Sequence, residues 1–163
     1  MWLSVVSAAP AGQPTGTRDG SRRGLKATEV CQVVGITYRQ LDFWARIGLL
    51  GPSMAQGRGS GNWRAWSYAD LLHLKVVERL VHAGLSPRLA QSAVDCLRSS
   101  KEGTTDATLV LSAEHALLVR SAGELAKIMD ASTGPVWVLA MGKVVSELED
   151  KLAKLAVAPD KLF

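Results

Sequence analysis

Few side chains in this sequence could carry covalent or metal chemistry, and they stand far apart. The 163 residues include only two cysteines, Cys31 and Cys96. Each falls on the apolar face of a predicted helix, which is the usual place of a reduced core thiol rather than a disulfide or a metal ligand. No Ser/His/Asp, Cys/His or paired-carboxylate arrangement is visible in the C-terminal part of the chain, after residue 99. We therefore expect no enzyme activity, no metal site and no cofactor.

The three histidines fit the same expectation. His73 and His82 are predicted at the surface or at a helix end, and His115 in a solvated turn. A glycine-rich loop at residues 56–62 could suggest a nucleotide site. However, no Gly-Lys-Ser/Thr follows it and no strand precedes it, which argues against phosphate cradling of the P-loop kind.

The basic side chains give a stronger signal, because they are concentrated in one part of the chain. Residues 18–66 contain eight basic and three acidic residues, whereas residues 67–163 contain eleven basic and twelve acidic ones. A cluster of positive charge attracts phosphates. A solvated charged face would give the same count, so the charge supports nucleic-acid binding only together with a motif.

The elements that position these cations are two predicted helices. The apolar residues of the first recur at i, i+3, i+4 and i+7: Ala27, Val30, Cys31 and Val34. Gly35 supplies the positive φ of a sharp helix end, and Thr37 caps a second helix over residues 38–47 that ends at Gly48. Two helices joined by a short turn containing Gly are typical of a helix-turn-helix.

The residues of the second helix have different predicted roles, according to the face and the turn on which they lie. Leu41, Trp44 and Ala45 form its inner face. Tyr38 and Arg39 lie in the first turn, the part of such a helix that reaches base edges in the major groove. Arg46, near the end, is better placed for a backbone phosphate. Asp42 is expected to pair with Arg39 or Arg46 at helical spacing and so to orient the arginine.

The order of these signals resembles the MerR family of transcription regulators, most closely the actinobacterial MerR-like type. The resemblance covers about residues 25–99 and includes, at residues 37–50, the run Thr-Tyr-Arg-Gln-Leu-Asp-Phe-Trp-Ala-Arg-Ile-Gly-Leu-Leu. Further on are a wing at residues 57–62, the strand Arg-Ala-Trp-Ser at 64–67, a helix with an early Asp70, and a Gly-Leu-Ser break at 84–86.

The resemblance implies a winged helix-turn-helix that binds double-stranded DNA. The predicted DNA-contacting residues are Thr37, Tyr38, Arg39, Gln40, Arg46, Arg58 and Arg64. Arg46 and the cations Arg58 and Arg64 of the wing region would hold phosphates. Asp42 departs from the family, many members of which carry a phosphate-binding basic residue there. Residues 18–26 could add a basic arm, or simply a solvated tail.

Two further helices complete this part. Ser67 caps a third helix to about residue 82, with Asp70 as its capping-box partner. Trp66 is expected to pack the wing onto the core, and Trp63 to pack as well. Ser86 caps a fourth helix, with Pro87 in its favoured first position.

After residue 99 the pattern changes to a ββαβα order. Residues 107–112 and 116–120 predict a hairpin, Ser121 opens a helix to about residue 130, and residues 136–141 predict a buried strand. The apolar residues of the final helix are Val145, Leu148, Leu152 and Leu155. That helix either packs on its own sheet or forms a partner surface, and the strand could wall an apolar ligand pocket.

The sequence therefore predicts a mainly α fold with a small β part, an α+β fold. Its predicted divisions are a disordered tail (1–24), a winged helix-turn-helix domain of four helices and a wing (25–99), a linker (100–106), and an α+β dimerisation or effector module (107–158). No apolar run approaches the 18 residues of a membrane span, and residues 1–11 lack the basic start of a signal peptide. We expect a cytoplasmic, nucleoid-associated protein.

The leading functional prediction is a transcription regulator that binds a palindromic operator as a homodimer. By resemblance, it would distort promoter DNA and could contact RNA polymerase. The alternative is an excisionase-like or architectural DNA-binding protein of recombination. A ligand-sensing or enzymatic C-terminal module is a third hypothesis, and an effector stays undecided.

Overall fold

The computed structural model describes residues 24–55, 64–113, 115–157, 159 and 162. Its helices are α1 (Ala27–Val34), α2 (Tyr38–Arg46), α3 (Tyr68–His82), α4 (Pro87–Ser99), α5 (Ala122–Ala131) and α6 (Met141–Lys154). Its strands are β1 (Met54–Ala55), β2 (Arg64–Ala65), β3 (Thr108–Leu111), β4 (Ala116–Val119) and β5 (Trp137–Ala140). The predicted α+β class and the ββαβα order are confirmed. The predicted tail at 1–24 falls outside the described residues except for Gly24.

The turn between α1 and α2 is as sharp as the sequence predicts. Gly35 has φ +86° and its N–H donates to the Cys31 carbonyl at 2.9 Å. Only a glycine adopts this left-handed conformation without strain. Three residues separate the two helices, and the inner residues Leu41 and Trp44 of α2 are buried. The predicted helix pair is confirmed.

A two-stranded antiparallel ribbon, β1 with β2, follows α2. Met54 lies opposite Ala65, and the ribbon is extended by a bridge between Leu25 and Trp66. The backbone at Gly24 packs tightly here, because a methyl group on Gly24 would lie 2.4 Å from the Ala65 Cβ. Trp66 is only 2% exposed, which confirms its predicted packing role.

The long helix α3 occupies the centre of the molecule. It packs against α1, α4 and α6, so side chains on several of its sides are covered. For this reason His73, predicted at the surface or at a helix end, is instead buried, with 8% of its surface exposed. That prediction was wrong. A helix enclosed on several sides buries more than one stripe of residues.

The second sheet has the order β4-β3-β5, with all pairs antiparallel. β3 is central and contacts both α4 and α6, and its residues Leu109 and Leu111 are fully buried. The strand predicted as buried, β5, lies at the sheet edge, with Val138 half exposed. That prediction was wrong, because one face of an edge strand turns to the core and the other turns outward.

The final helix α6 begins directly at the end of β5 and packs mainly against α3 and α1. Its apolar residues Val145, Leu148 and Leu152 are buried. The sequence offered packing on its own sheet or a free partner surface, and neither is the main contact. We call residues 24–99 the N-terminal unit and residues 107–157 the C-terminal unit. One apolar core runs through both, and the predicted domain boundaries stay predictions.

Helix α5 differs from its neighbours. All ten of its residues are described and none is buried, and Met129 is 56% exposed. Across the described residues, the helices are too short or too polar for any of them to cross a membrane.

Candidate nucleic-acid interface

The first turn of α2 is fixed by a reciprocal capping box. The Thr37 Oγ accepts a hydrogen bond from the Gln40 N–H, and the Gln40 Oε1 accepts one from the Thr37 N–H at 2.9 Å. Two backbone donors that a helix start leaves without partners are thereby satisfied. Thr37 and Gln40 were predicted to contact DNA, and in this structure their side chains order the start of α2. Their contact with DNA stays a prediction.

The outward face of α2 combines a cation with large apolar groups. Arg39 is exposed, and Tyr38, Phe43 and Ile47 are 64%, 54% and 47% exposed. A short helix that leaves this much apolar surface in water is typical of a binding surface. Sequence reasoning singled out Tyr38 and Arg39 but missed Phe43 and Ile47. Their i, i+4 spacing from Arg39 was the signal that could have found them.

Asp42 pairs with Arg46, one of the two partners predicted for it. Asp42 Oδ2 lies 2.7 Å from an Arg46 guanidinium nitrogen, at i, i+4 spacing on the helix surface. Arg46 remains 77% exposed, so its guanidinium is held along the helix while most of its surface faces solvent. An exposed pair of this kind adds only about 0.3–0.5 kcal/mol to stability. Its effect is to orient the arginine.

The base of the wing is held by one buried carboxylate. Asp70 Oδ2 accepts hydrogen bonds from the Ser53 N–H at 2.9 Å, the Ser53 hydroxyl at 2.7 Å and the Ser67 N–H at 2.9 Å. Asp70 is 4% exposed, so these charge-assisted bonds form away from water. They fix the residue before β1 to the start of α3. The capping box was predicted, but Ser53 was missed because it is 17 residues away in sequence.

The remaining predicted contacts belong to the wing. Arg58 and Trp63 lie outside the described residues. Arg64 lies in β2, where it is paired with Ala55, and its side chain is not described. The structure therefore brings together Thr37, Tyr38, Arg39, Gln40 and Arg46 on one helix. The roles of Arg58 and Arg64 stay predictions.

A partly buried lysine supports the turn from the inside. The Lys75 ammonium donates to the Val34 carbonyl at 3.0 Å and pairs with Glu78 at the same distance. Val34 is the last residue of α1, where carbonyls lack helical partners and carry partial negative charge. A cation from α3 thus stabilises the end of α1 just before the chain enters α2.

Both cysteines pack against the apolar core. Burial raises the pKa of the Cys31 thiol and of the Cys96 thiol, which keeps both protonated and unreactive at neutral pH. Within the described ranges, no three His, Cys, Asp or Glu residues are grouped as metal ligands would be.

Comparison with known proteins agrees with this geometry. Residues 25–95 match the model of the MerR HTH family of regulatory proteins. Relatives named uncharacterized HTH-type transcriptional regulators, from Mycobacterium tuberculosis and Mycobacterium bovis, are 36% identical over 131 residues. That match covers 80% of this chain and 58% of each relative, so the chain spans about three fifths of their length.

The similarity to these relatives extends beyond the helix-turn-helix. A segment of 131 residues in a chain of 163 must include residues 33–131. The relatives therefore share sequence with the C-terminal unit at least through α5.

Proposed function

Because residues 25–95 belong to the MerR family of helix-turn-helix regulatory proteins, we propose that this protein is a sequence-specific, DNA-binding transcription regulator. The observation that carries the proposal is the first turn of α2. There Tyr38 and Arg39 are exposed beside each other, on a helix whose start is fixed by Thr37 and Gln40. A rigid helix with exposed donors at its N-terminal end suits readout of base edges in a major groove.

Each predicted contact then has a role. Arg39 and Tyr38 read bases, and Phe43 adds apolar contact of the kind that thymine methyl groups accept. Thr37 and Gln40 lie at the same end of α2 and reach the DNA beside them. Arg46, Arg58 and Arg64 hold phosphates and carry no sequence information of their own. These cations clamp the duplex while it deforms, which costs a few kcal/mol.

A single helix and wing read too few base pairs for a useful specificity. We therefore propose a homodimer on a palindromic operator, with two-fold symmetry in both the protein and the DNA. The protein acts by binding and not by catalysis, at the bacterial nucleoid in the cytoplasm. It distorts promoter DNA so that RNA polymerase can engage it, and a small-molecule effector could adjust this action.

Mapping of bound sites tests this proposal most broadly. Genome-wide mapping followed by footprinting should find one dyad over a promoter. Head-to-tail repeats beside an attachment site would instead support an accessory role in recombination. Binding with no preferred sequence would contradict a regulator of specific promoters.

A pair of variants separates the proposed roles of the arginines. Arg39→Ala should lower the discrimination between operator and unrelated duplex by about 1–3 kcal/mol, because a base contact is lost. Arg58→Ala should weaken binding to all sequences alike, because a phosphate contact is lost. Competition binding on both duplexes measures the two effects. Unchanged discrimination in Arg39→Ala would show that Arg39 does not read bases.

A further inference from the structure

Helix α6 belongs to the C-terminal unit but packs against helices of the N-terminal unit. It contacts both α3 and α1, and its residues Leu148 and Leu152 are fully buried there. α1 leads into the proposed reading helix α2 through a three-residue turn. A helix wedged against α1 and α3 therefore helps to set where α2 lies.

Two carboxylates flank the buried Leu148 and extend toward opposite parts of α3. Glu147 forms an ion pair with Arg79, and Glu149 accepts a hydrogen bond from the Tyr68 hydroxyl at 3.4 Å. Neighbours two positions apart on a helix point to roughly opposite sides. Tyr68 and Arg79 are eleven residues apart, so their backbones lie about 16 Å apart along α3.

The electrostatics of these contacts agree with the geometry. The hydrogen bond from Arg79 holds the pKa of Glu147 below its usual range. Partial burial, together with the Glu149 charge, raises the pKa of Tyr68 to about 12, so its hydroxyl keeps its proton.

The two parts of α3 that α6 contacts support the two DNA-contacting elements. Tyr68 is the first residue of α3 and directly follows Ser67, which with Asp70 fixes the wing base. Arg79 lies next to Glu78, the ion-pair partner of Lys75, whose ammonium holds the end of α1.

The joint between α6 and its own sheet is rigid. Ala140 ends β5 and is also the N-cap of α6, so no loop separates them. The Met141 N–H donates to the Ala107 carbonyl at 3.1 Å. A methyl group on Gly142 would lie 3.0 Å from the Thr105 carbonyl oxygen, which shows how close the backbones approach. A shift of the sheet would therefore move α6.

We infer that Glu147 and Glu149 of α6 are positioning residues for DNA binding, which act through Arg79 and Tyr68 to fix the separation of the wing base, at Ser53 and β1, from the reading helix α2. This inference rests on the proposed function. Neither carboxylate would touch DNA. Both set the relative position of α2 and the wing base, and they connect the C-terminal unit to that geometry.

A charge-swap cycle tests the inference in the full chain. Glu147→Arg, Arg79→Glu and the double swap are compared by competition binding to the mapped operator and to a scrambled duplex at one salt concentration. Asp150→Arg is the matched control, because it makes the same charge change at an exposed position of α6. Comparing the operator-to-scrambled ratio removes the general effect of added charge on DNA affinity.

Glu147→Arg should lower that ratio about threefold to tenfold, while Asp150→Arg leaves it unchanged. The double swap keeps the net charge and should restore the ratio to within about twofold of the unmodified protein. A ratio unchanged in Glu147→Arg, or a double swap without recovery, would overturn the inference. A merely structural role would lower the melting temperature and leave the ratio constant.

A second variant covers the case in which Glu147→Arg does not fold. Tyr68→Phe keeps the ring and removes only the donor to Glu149, and we expect it to lower the ratio in the same direction, about twofold. An unchanged ratio in a folded Tyr68→Phe protein would refute the role of Glu149. If the unmodified protein bound no duplex at all, the proposed function would fail. Normal binding with no response to these variants would remove only the positioning role.

Discussion

Helices α2 and α6 are both amphipathic, yet they use their apolar residues in opposite ways. α2 buries only Leu41 and Trp44 and leaves large side chains such as Phe43 in water. α6 buries five side chains and exposes mainly charged ones: Met141, Val144, Val145, Leu148 and Leu152 are its buried residues. The difference indicates that α2 presents a surface to a partner, while α6 supports the frame that holds α2.

The largest effect is expected when apolar volume is removed from α6. Leu148→Ala should lower the free energy of unfolding by about 2–5 kcal/mol, because Leu148 is fully buried. Urea denaturation followed by tryptophan fluorescence measures it, and Trp44 and Trp66 report on the N-terminal unit. We expect one transition at lower urea.

A matched control for this variant is Met129→Ala in α5. Met129 is 56% exposed, so its truncation should change stability by less than about 0.5 kcal/mol. If Leu148→Ala left the urea transition unshifted, α6 would not support the N-terminal unit.

A smaller effect is expected when an exposed residue of α2 is truncated. Phe43→Ala should leave stability within about 0.5 kcal/mol, but weaken operator binding by about 1 kcal/mol, or fivefold. The side chain is half exposed in the free protein, and in the proposed complex DNA covers it. Phe43→Leu should keep part of the affinity. If Phe43→Ala were destabilised and bound DNA normally, α2 would resemble α6, and the contrast would disappear.

The smallest effect concerns pH and the buried His73 on α3, the helix that α6 packs on. Burial, followed by the nearby Arg98 charge, lowers the pKa of His73 although Asp70 opposes it, and Nδ1 has no hydrogen-bond partner among the described residues. The unfolded chain therefore binds a proton first as the pH falls below about 6.5. The stability that neutral, buried His73 contributes is complete above that pH. It is lost as the pH falls through the lower pKa that His73 has in the folded chain.

The measurement is the free energy of unfolding at pH 7.5 and at pH 5.5. His73→Leu should lose part of the decrease that the unmodified protein shows between these values. His82→Gln, at an exposed position, should retain all of it. An equal decrease in all three proteins would mean that His73 titrates alike in the folded and unfolded chain.

What the sequence predicts well depends on local signals. Gly35, Thr37 and Ser67 end or begin helices through contacts within four residues, and these appear where the sequence places them. The pairing of Asp42 with Arg46 is equally local. The inner face of α2 follows from its 3.6-residue period alone. The helix-turn-helix was therefore predictable almost residue by residue.

What the sequence predicts poorly depends on which helices and strands pack against each other. The burial of His73 requires neighbours on several sides of α3, and the half-exposed face of β5 follows from its place at the sheet edge. The spacing of the apolar residues of α6 shows that one side of the helix is covered, but not that α1 and α3 cover it. Ser53 and Asp70 are 17 residues apart in sequence, so no helix or strand period could predict their hydrogen bond.

The most direct test of the whole account is the salt dependence of DNA binding. For the purified protein and its mapped operator, the logarithm of the binding constant K should fall linearly with the logarithm of the salt concentration. A slope of about −3 per protomer corresponds to phosphate contacts by Arg46, Arg58 and Arg64. Arg46→Ala should make that slope shallower by about one. An affinity that does not change with salt, or no binding to any duplex, would contradict the account.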